Sequence, residues 1–135
     1  MVSNSKTVLI VEDELLIRLS LVEELEYAGF VVLEAETADD ALEVLNAYPK
    51  IEAIFTDIDM PGSMNGVELA ELVHTIRPEM AIMLTSGFLK VPKSELPARI
   101  PFVPKPYDVS RVINHIRELI LQRGSKDCFA EPFKP

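Results

Sequence analysis

The residues that could do chemistry sit in four short stretches: Glu12-Asp13, "TDIDMPGSMNG" from Thr56 to Gly66, Thr85-Ser86-Gly87, and Lys105-Pro106. Each closes or follows a short apolar, strand-like run: TVLIV at 7–11, AIFT at 53–56, AIMLT at 81–85 and IPFV at 100–103. In an open parallel sheet, ligands bind at the carboxyl ends of the strands. Three acids, a hydroxyl and a lysine would then converge on one edge. Neighbouring carboxylates repel one another unless a cation is present. Carboxylate oxygens at an open edge suit Mg²⁺, which keeps several waters and completes its shell with phosphate oxygens. Beside such a cation Asp57 is a candidate nucleophile toward a phosphoryl group, giving an acyl phosphate. Phosphoryl transfer asks mainly for positioning and charge neutralisation, which Mg²⁺, Lys105 and a hydroxyl would supply.

The elements that must position these groups follow from periodicity and punctuation. Short β-branched runs at 7–11, 31–35, 53–56, 81–85 and 100–103 read as buried strands. From Glu14 to Ala28, Leu15, Leu19, Val22 and Leu25 fall at helical spacing, and Gly29 is a natural stop. Thr37 caps a helix that carries Asp39 and Asp40 in its first turn and runs to Ala47. Val67 to Ile76 and Val109 to Leu121 complete the helices, with Asp108 as cap of the last. Between Gly87 and Pro101 lie Pro92 and Pro97. A proline inside a helix costs about 3 kcal/mol, so this connection holds one turn around Lys93–Leu96. Strand and helix alternate, which predicts an α/β, doubly wound five-stranded parallel sheet with a shortened fourth helix. The domain is read as 7–122, with 1–6 and 123–135 as flexible termini.

The chain's 135 residues suffice for one domain with a real core. No apolar run approaches the roughly 20 residues of a membrane span, and residues 1–6 lack a signal-peptide pattern. The single Cys128 excludes an internal disulfide and fits a reducing cytoplasm. A net charge of −9 argues against nucleic acid as a partner. The charge is uneven, −13 over residues 1–71 and +4 over 72–135. The acidic half therefore suits a cation or a cationic partner.

Taken in order on these strands, the motifs resemble a CheY-like response regulator receiver domain of two-component signalling, from about Thr7 to Leu121. The residues carrying the likeness are Glu12-Asp13, "TDIDMPGSMNG", "TSGF" from Thr85, and "FVPKPY" at 102–107. The resemblance implies a flavodoxin-like strand order of 2-1-3-4-5, with Asp57 as phosphoacceptor and Lys105 as the phosphoryl-pairing lysine. It implies Mg²⁺ bound by Glu12, Asp13, Asp57 and the backbone carbonyl of Asp59. Adjacent strand residues point to opposite faces, so only one of Thr85 and Ser86 can reach a phosphoryl group. The family pattern favours Ser86, followed by the small Gly87, with Thr85 as the alternative. Three features depart from the pattern: a Pro61–Gly66 turn one residue longer, Phe102 at the position of a common switch tyrosine, and the short fourth helix.

The implied partners are a histidine kinase or histidine phosphotransfer protein as donor and a downstream protein target, without membrane or nucleic acid; homodimerisation stays open. Met1 and the short tail lean toward a stand-alone regulator over the receiver segment of a hybrid histidine kinase. No enzymatic turnover is expected beyond Mg²⁺-dependent self-phosphorylation and autodephosphorylation. A haloacid-dehalogenase-like phosphatase fits Asp57-x-Asp59 alone, because its second acidic pair would have to follow Lys105. A degenerate, phosphorylation-independent receiver is disfavoured by the intact acid, hydroxyl and lysine set. His74 and His115 read as helix-surface residues, Met60, Met64, Met80 and Met83 as packing, and the Asp59 side chain as a solvated turn acid.

Overall fold

Apolar side chains on both faces of a strand leave it stable only in the middle of a covered sheet. Among the described residues, 7–11, 51–57 and 81–86 form such strands, and a strand at each edge flanks them. The computed structural model describes residues 5–87 and 92–123. The strands are β1 (Thr7–Val11), β2 (Val31–Ala35), β3 (Ile51–Asp57), β4 (Ala81–Ser86) and β5 (Phe102–Pro104). The α-helices are α1 (Leu15–Tyr27), α2 (Ala38–Ala47), α3 (Gly66–Ile76) and α4 (Val109–Arg123). Among the described residues of the fourth connection, a 3₁₀ turn, Lys93–Glu95, lies between Pro92 and Pro97. All pairings are parallel and the order is β2-β1-β3-β4-β5, the doubly wound, CheY-like arrangement.

The sheet has a core on each side. Leu9, Val11, Ile54, Ile58, Ile82 and Leu84 pack with Ala41, Leu45, Leu69 and Val73 of α2 and α3. Val8, Ile10, Phe55 and Met83 pack with Leu21 and Leu25 of α1 and with Val112, Ile113 and Ile116 of α4. Met80 and Met83 are buried, and Met60 and Met64 pack against the first core as partly buried side chains. Register brings the strand ends level: Val11 pairs with Thr56, Asp57 with Thr85, and Ser86 with Pro104. The chemical residues sit at those ends, as Asp57 and Ser86 do, or just beyond them, as Glu12, Asp13 and Lys105 do.

Thr37 caps α2 as its sequence suggests, accepting from the Asp40 amide at 3.1 Å, and Gly29 stops α1 at a φ of +103°. Several details differ from the expected elements. β3 starts two residues earlier and includes Asp57. β5 is Phe102–Pro104, because the Ile100 amide closes a turn onto the Pro97 carbonyl and its side chain packs into the first core. In α1 the core-facing stripe is Arg18, Leu21 and Leu25, while Leu15 and Leu19 are exposed. An apolar spacing there matched two helical faces, and a buried charge took the inner one. Phe88, Cys128 and most of the expected flexible termini lie outside the described residues.

The loop from β3 to α3 is tied down at its far end. Asn65 Oδ1 accepts from the Glu68 amide and Glu68 Oε1 accepts from the Asn65 amide, each at 2.9 Å, a reciprocal cap. The Gly66 amide donates to the Ile58 carbonyl, folding the loop back over the strand end. A Cβ at Gly66 would stand 2.1 Å from the Asp57 carbonyl oxygen and 2.7 Å from the Ile58 Cα. Backbone cannot yield there as a flexible side chain could. Gly66→Ala is therefore expected to destabilise the fold by about 2 kcal/mol or more, read as a lower urea midpoint; an unchanged midpoint would refute the close approach.

Candidate functional site

Glu12 and Asp57 are almost fully buried and Asp13 is exposed. One carboxylate oxygen from each lies within 4.8 Å of the others. Lys105 joins them from the β5–α4 side, with Nζ 2.7 Å from Glu12 Oε1 and 3.3 Å from Asp57 Oδ2. Its amide donates to the Ser86 carbonyl, and its aliphatic stem runs beside Gly87, where an added Cβ would stand 3.4 Å from it. The other Glu12 oxygen accepts from the Glu14 amide at 3.0 Å, so this acid both faces the site and holds the entry of α1. Asp57 Oδ1 accepts from the Asp59 amide at 3.3 Å. The donor set is all carboxylate oxygen and one member faces solvent, which fits a hard cation that keeps part of its water shell.

The electrostatics follow from that crowding. Burial, then the charge of Glu12, pushes the Asp57 carboxyl up to about 6, although Lys105 pulls the other way. Burial pulls the Lys105 ammonium down, but its bond to Glu12 and the charges of Asp57 and Glu12 reverse this and hold it above its ordinary range. Burial, then the charges of Glu12 and Asp57, raises the Tyr107 phenol. Tyr107 rests edge-on against Phe55, with ring centroids 5.6 Å apart.

The two hydroxyls of β4 part company. Ser86 donates its Oγ hydrogen to Asp59 Oδ2, at the rim of the acid cluster. Thr85 is 2% exposed, and its Oγ1 is buried with no hydrogen-bond partner among the described residues. Ala81 and Met83 belong to the α1/α4 core and Ile82 and Leu84 to the α2/α3 core. By alternation Thr85 continues the first set and Ser86 the second. The Asp59 side chain is thus engaged with Ser86, where a solvated turn acid was expected. Phe102 is half-buried and packs against the first core together with Leu96 and Ile100.

Sequence reasoning missed Arg18, which is buried and donates to the Glu12 carbonyl at 2.8 Å and to Glu34 at 2.9 Å. Its signal was available: Arg18 is the sole lysine or arginine between residues 7 and 49. It also missed the close approach of Gly66, whose glycine closes the motif around Asp57.

Residues 8–117 match the response regulator receiver domain family. The chain belongs to that family. It is 34% identical over 119 residues to the response regulator receiver protein CpdR of Brucella abortus, covering 86% of this chain and 98% of that protein. It is 30% identical over 122 residues to the sensor kinase CckA of the same organism, covering 87% of this chain but 13% of the kinase. Among solved structures, the response regulator TrrA of Thermotoga maritima, in complex with Mg²⁺-BeF, superposes with a TM-score of 0.75 at 27% identity, over 84% of this chain and 98% of that one. No helix among the described residues is long and apolar enough to cross a membrane.

Two outcomes follow for this receiver domain. The folded state holds the Asp57 proton more tightly than the unfolded chain, whose value is the ordinary 3.8. Stability therefore falls as pH rises from about 4 through about 6, by up to about 3 kcal/mol. In chelator-treated buffer, Asp57→Asn is expected to be the more stable protein at pH 7 and to converge with wild type below about pH 4. Urea titrations at each pH check this, and a constant gap would refute it. Thr85→Val removes an unsatisfied buried hydroxyl at nearly constant shape. It is expected to stabilise the fold by about 1 kcal/mol, measured the same way.

Proposed function

We propose that Asp57 is the phosphoacceptor of a two-component signalling switch. The observation that supports this most is that Asp57, at the end of the central strand β3, lies within reach of both Lys105 and the Glu12–Asp13 pair. An Asp57 carboxylate oxygen attacks the phosphorus of a phosphohistidine on a histidine kinase or phosphotransfer protein. A P–O bond forms, the P–N bond breaks, and its electron pair leaves with the imidazole. Lys105 lies close enough to Asp57 to pair with an incoming phosphoryl oxygen. Ser86 gives up Asp59 and donates to the phosphoryl group. Glu12, Asp13, Asp57 and the Asp59 backbone carbonyl would hold Mg²⁺, which would supply further neutralisation of phosphoryl charge. The all-oxygen donor set supports this metal, as does the Mg²⁺-BeF complex of TrrA.

Movement of Ser86 toward Asp57 releases the end of β4 and lets Phe102 repack. The surface of β4, β5 and α4 changes through a shift between two packings of one fold. A downstream protein would read that surface. We take residues 7–122 as the functional domain, working in the cytoplasm as an acceptor whose own chemistry is self-phosphorylation and autodephosphorylation. The likeness to CpdR along nearly its full length favours a stand-alone regulator. The likeness to CckA favours, as a second reading, the receiver segment of a hybrid kinase.

The test is intact mass after incubation with acetyl phosphate. Wild type is expected to gain one phosphoryl group only with Mg²⁺, and Asp57→Asn to gain none. A gain that survives in Asp57→Asn would overturn the assignment. In the same assay Ser86→Ala is expected to slow the gain by about tenfold or more, while Thr85→Val stays near the wild-type rate. The reverse ranking would move the hydroxyl role to Thr85.

A further inference from the structure

We infer that Arg18 is a positioning residue for the metal-binding acids: it orients the Glu12–Asp13 peptide and thereby sets the affinity of the cluster for a divalent cation. The inference rests on the reading above, in which Glu12, Asp13 and Asp57 hold Mg²⁺. Its basis is the set of restraints on Glu12. The Glu12 amide donates to the Ala35 carbonyl at 3.0 Å. Its two carboxylate oxygens accept from Lys105 Nζ and the Glu14 amide. Its carbonyl accepts from the Arg18 guanidinium at 2.8 Å. That last bond fixes the plane of the Glu12–Asp13 peptide, from which the exposed Asp13 carboxylate is hung.

The arginine is itself held. Its Nε donates to Glu34 at 2.9 Å and a terminal nitrogen lies 3.5 Å from Glu36, so the fork spans the end of β2 and the acid turn. Its side chain is 9% exposed, on the inward stripe of α1 with Leu21 and Leu25. Stability explains such a residue poorly, because a buried guanidinium paired with two solvent-exposed carboxylates gains little that an apolar side chain of similar size would not. A planar fork that holds one carbonyl in one direction is what only arginine offers there.

The sign of the effect separates positioning from simple charge. A guanidinium near a cation site repels the cation, so removing it should tighten metal binding if charge were all that mattered. If Arg18 orients the acids, removing it should loosen binding, and loss of an outer-shell partner commonly costs 10–100-fold in metal affinity.

The experiment is a MgCl₂ titration of the full chain, followed by amide chemical shifts, for wild type, Arg18→Met, Arg18→Lys and Asp57→Asn. Arg18→Met is expected to raise the Mg²⁺ concentration for half-saturation by about tenfold or more. Arg18→Lys keeps the charge but lacks the fork, and is expected to fall between Arg18→Met and wild type. At saturating Mg²⁺, phosphorylation by acetyl phosphate should return toward the wild-type rate, which general damage to the fold would not allow. Half-saturation in Arg18→Met equal to or below wild type would overturn the inference. Should Arg18→Met not fold, a wild-type value in Arg18→Lys would overturn it instead. Wild type without Asp57-dependent Mg²⁺ binding would overturn the metal-site reading, and the inference with it.

Discussion

The structure turns on two buried carboxylates, Glu12 and Asp57, held next to each other with Lys105 as their shared counter-charge. Two negative groups in a low-dielectric site raise each other's cost of ionisation, and here one ammonium offsets that only partly. The balance is visible in Asp57, whose carboxyl is pushed up despite the lysine beside it. A site left this short of positive charge is prepared for more of it. The sheet makes the arrangement possible, because parallel register carries β1 and β3 to the same level and the β5–α4 turn brings Lys105 over them.

The polar groups around the pair are tied in more directions than their charges require. Glu12 is restrained through its amide, its carbonyl and both carboxylate oxygens. The loop after Asp57 folds back through the Gly66 amide and is closed by the Asn65–Glu68 cap. Ser86 is held by Asp59 from the opposite sheet face to Thr85. The acceptor of Ser86 is itself a carboxylate, so further negative charge placed on Asp57 would oppose it.

The charge asymmetry of the chain acquires a place in the fold through strand order. Residues 1–71 build β2, β1 and β3, and the later residues build β4, β5 and α4. The acidic and mildly basic halves of the sequence therefore lie toward opposite edges of one sheet, with the acid cluster on the strands between them.

Alternation of strand and helix, the punctuation by Gly29, Pro92 and Pro97, and the acids at the strand ends are local patterns, and the sequence by itself determined them. The α/β sheet and the gathering of Glu12, Asp57 and Lys105 followed from those patterns plus the rule that parallel strands present their carboxyl ends together. Tertiary structure alone decided what pairs across long separations. Lys105 meets Glu12 from 93 residues away and Ser86 meets Asp59 from 27. No periodicity carries such information, because it depends on register between strands and on side-chain reach. The same holds for α1, where spacing permitted an apolar face through Leu15 and Leu19 but the inner face went to Arg18. A helix pattern says which residues share a side; which side turns inward depends on what waits there, here the Glu12 carbonyl and the carboxylates of Glu34 and Glu36.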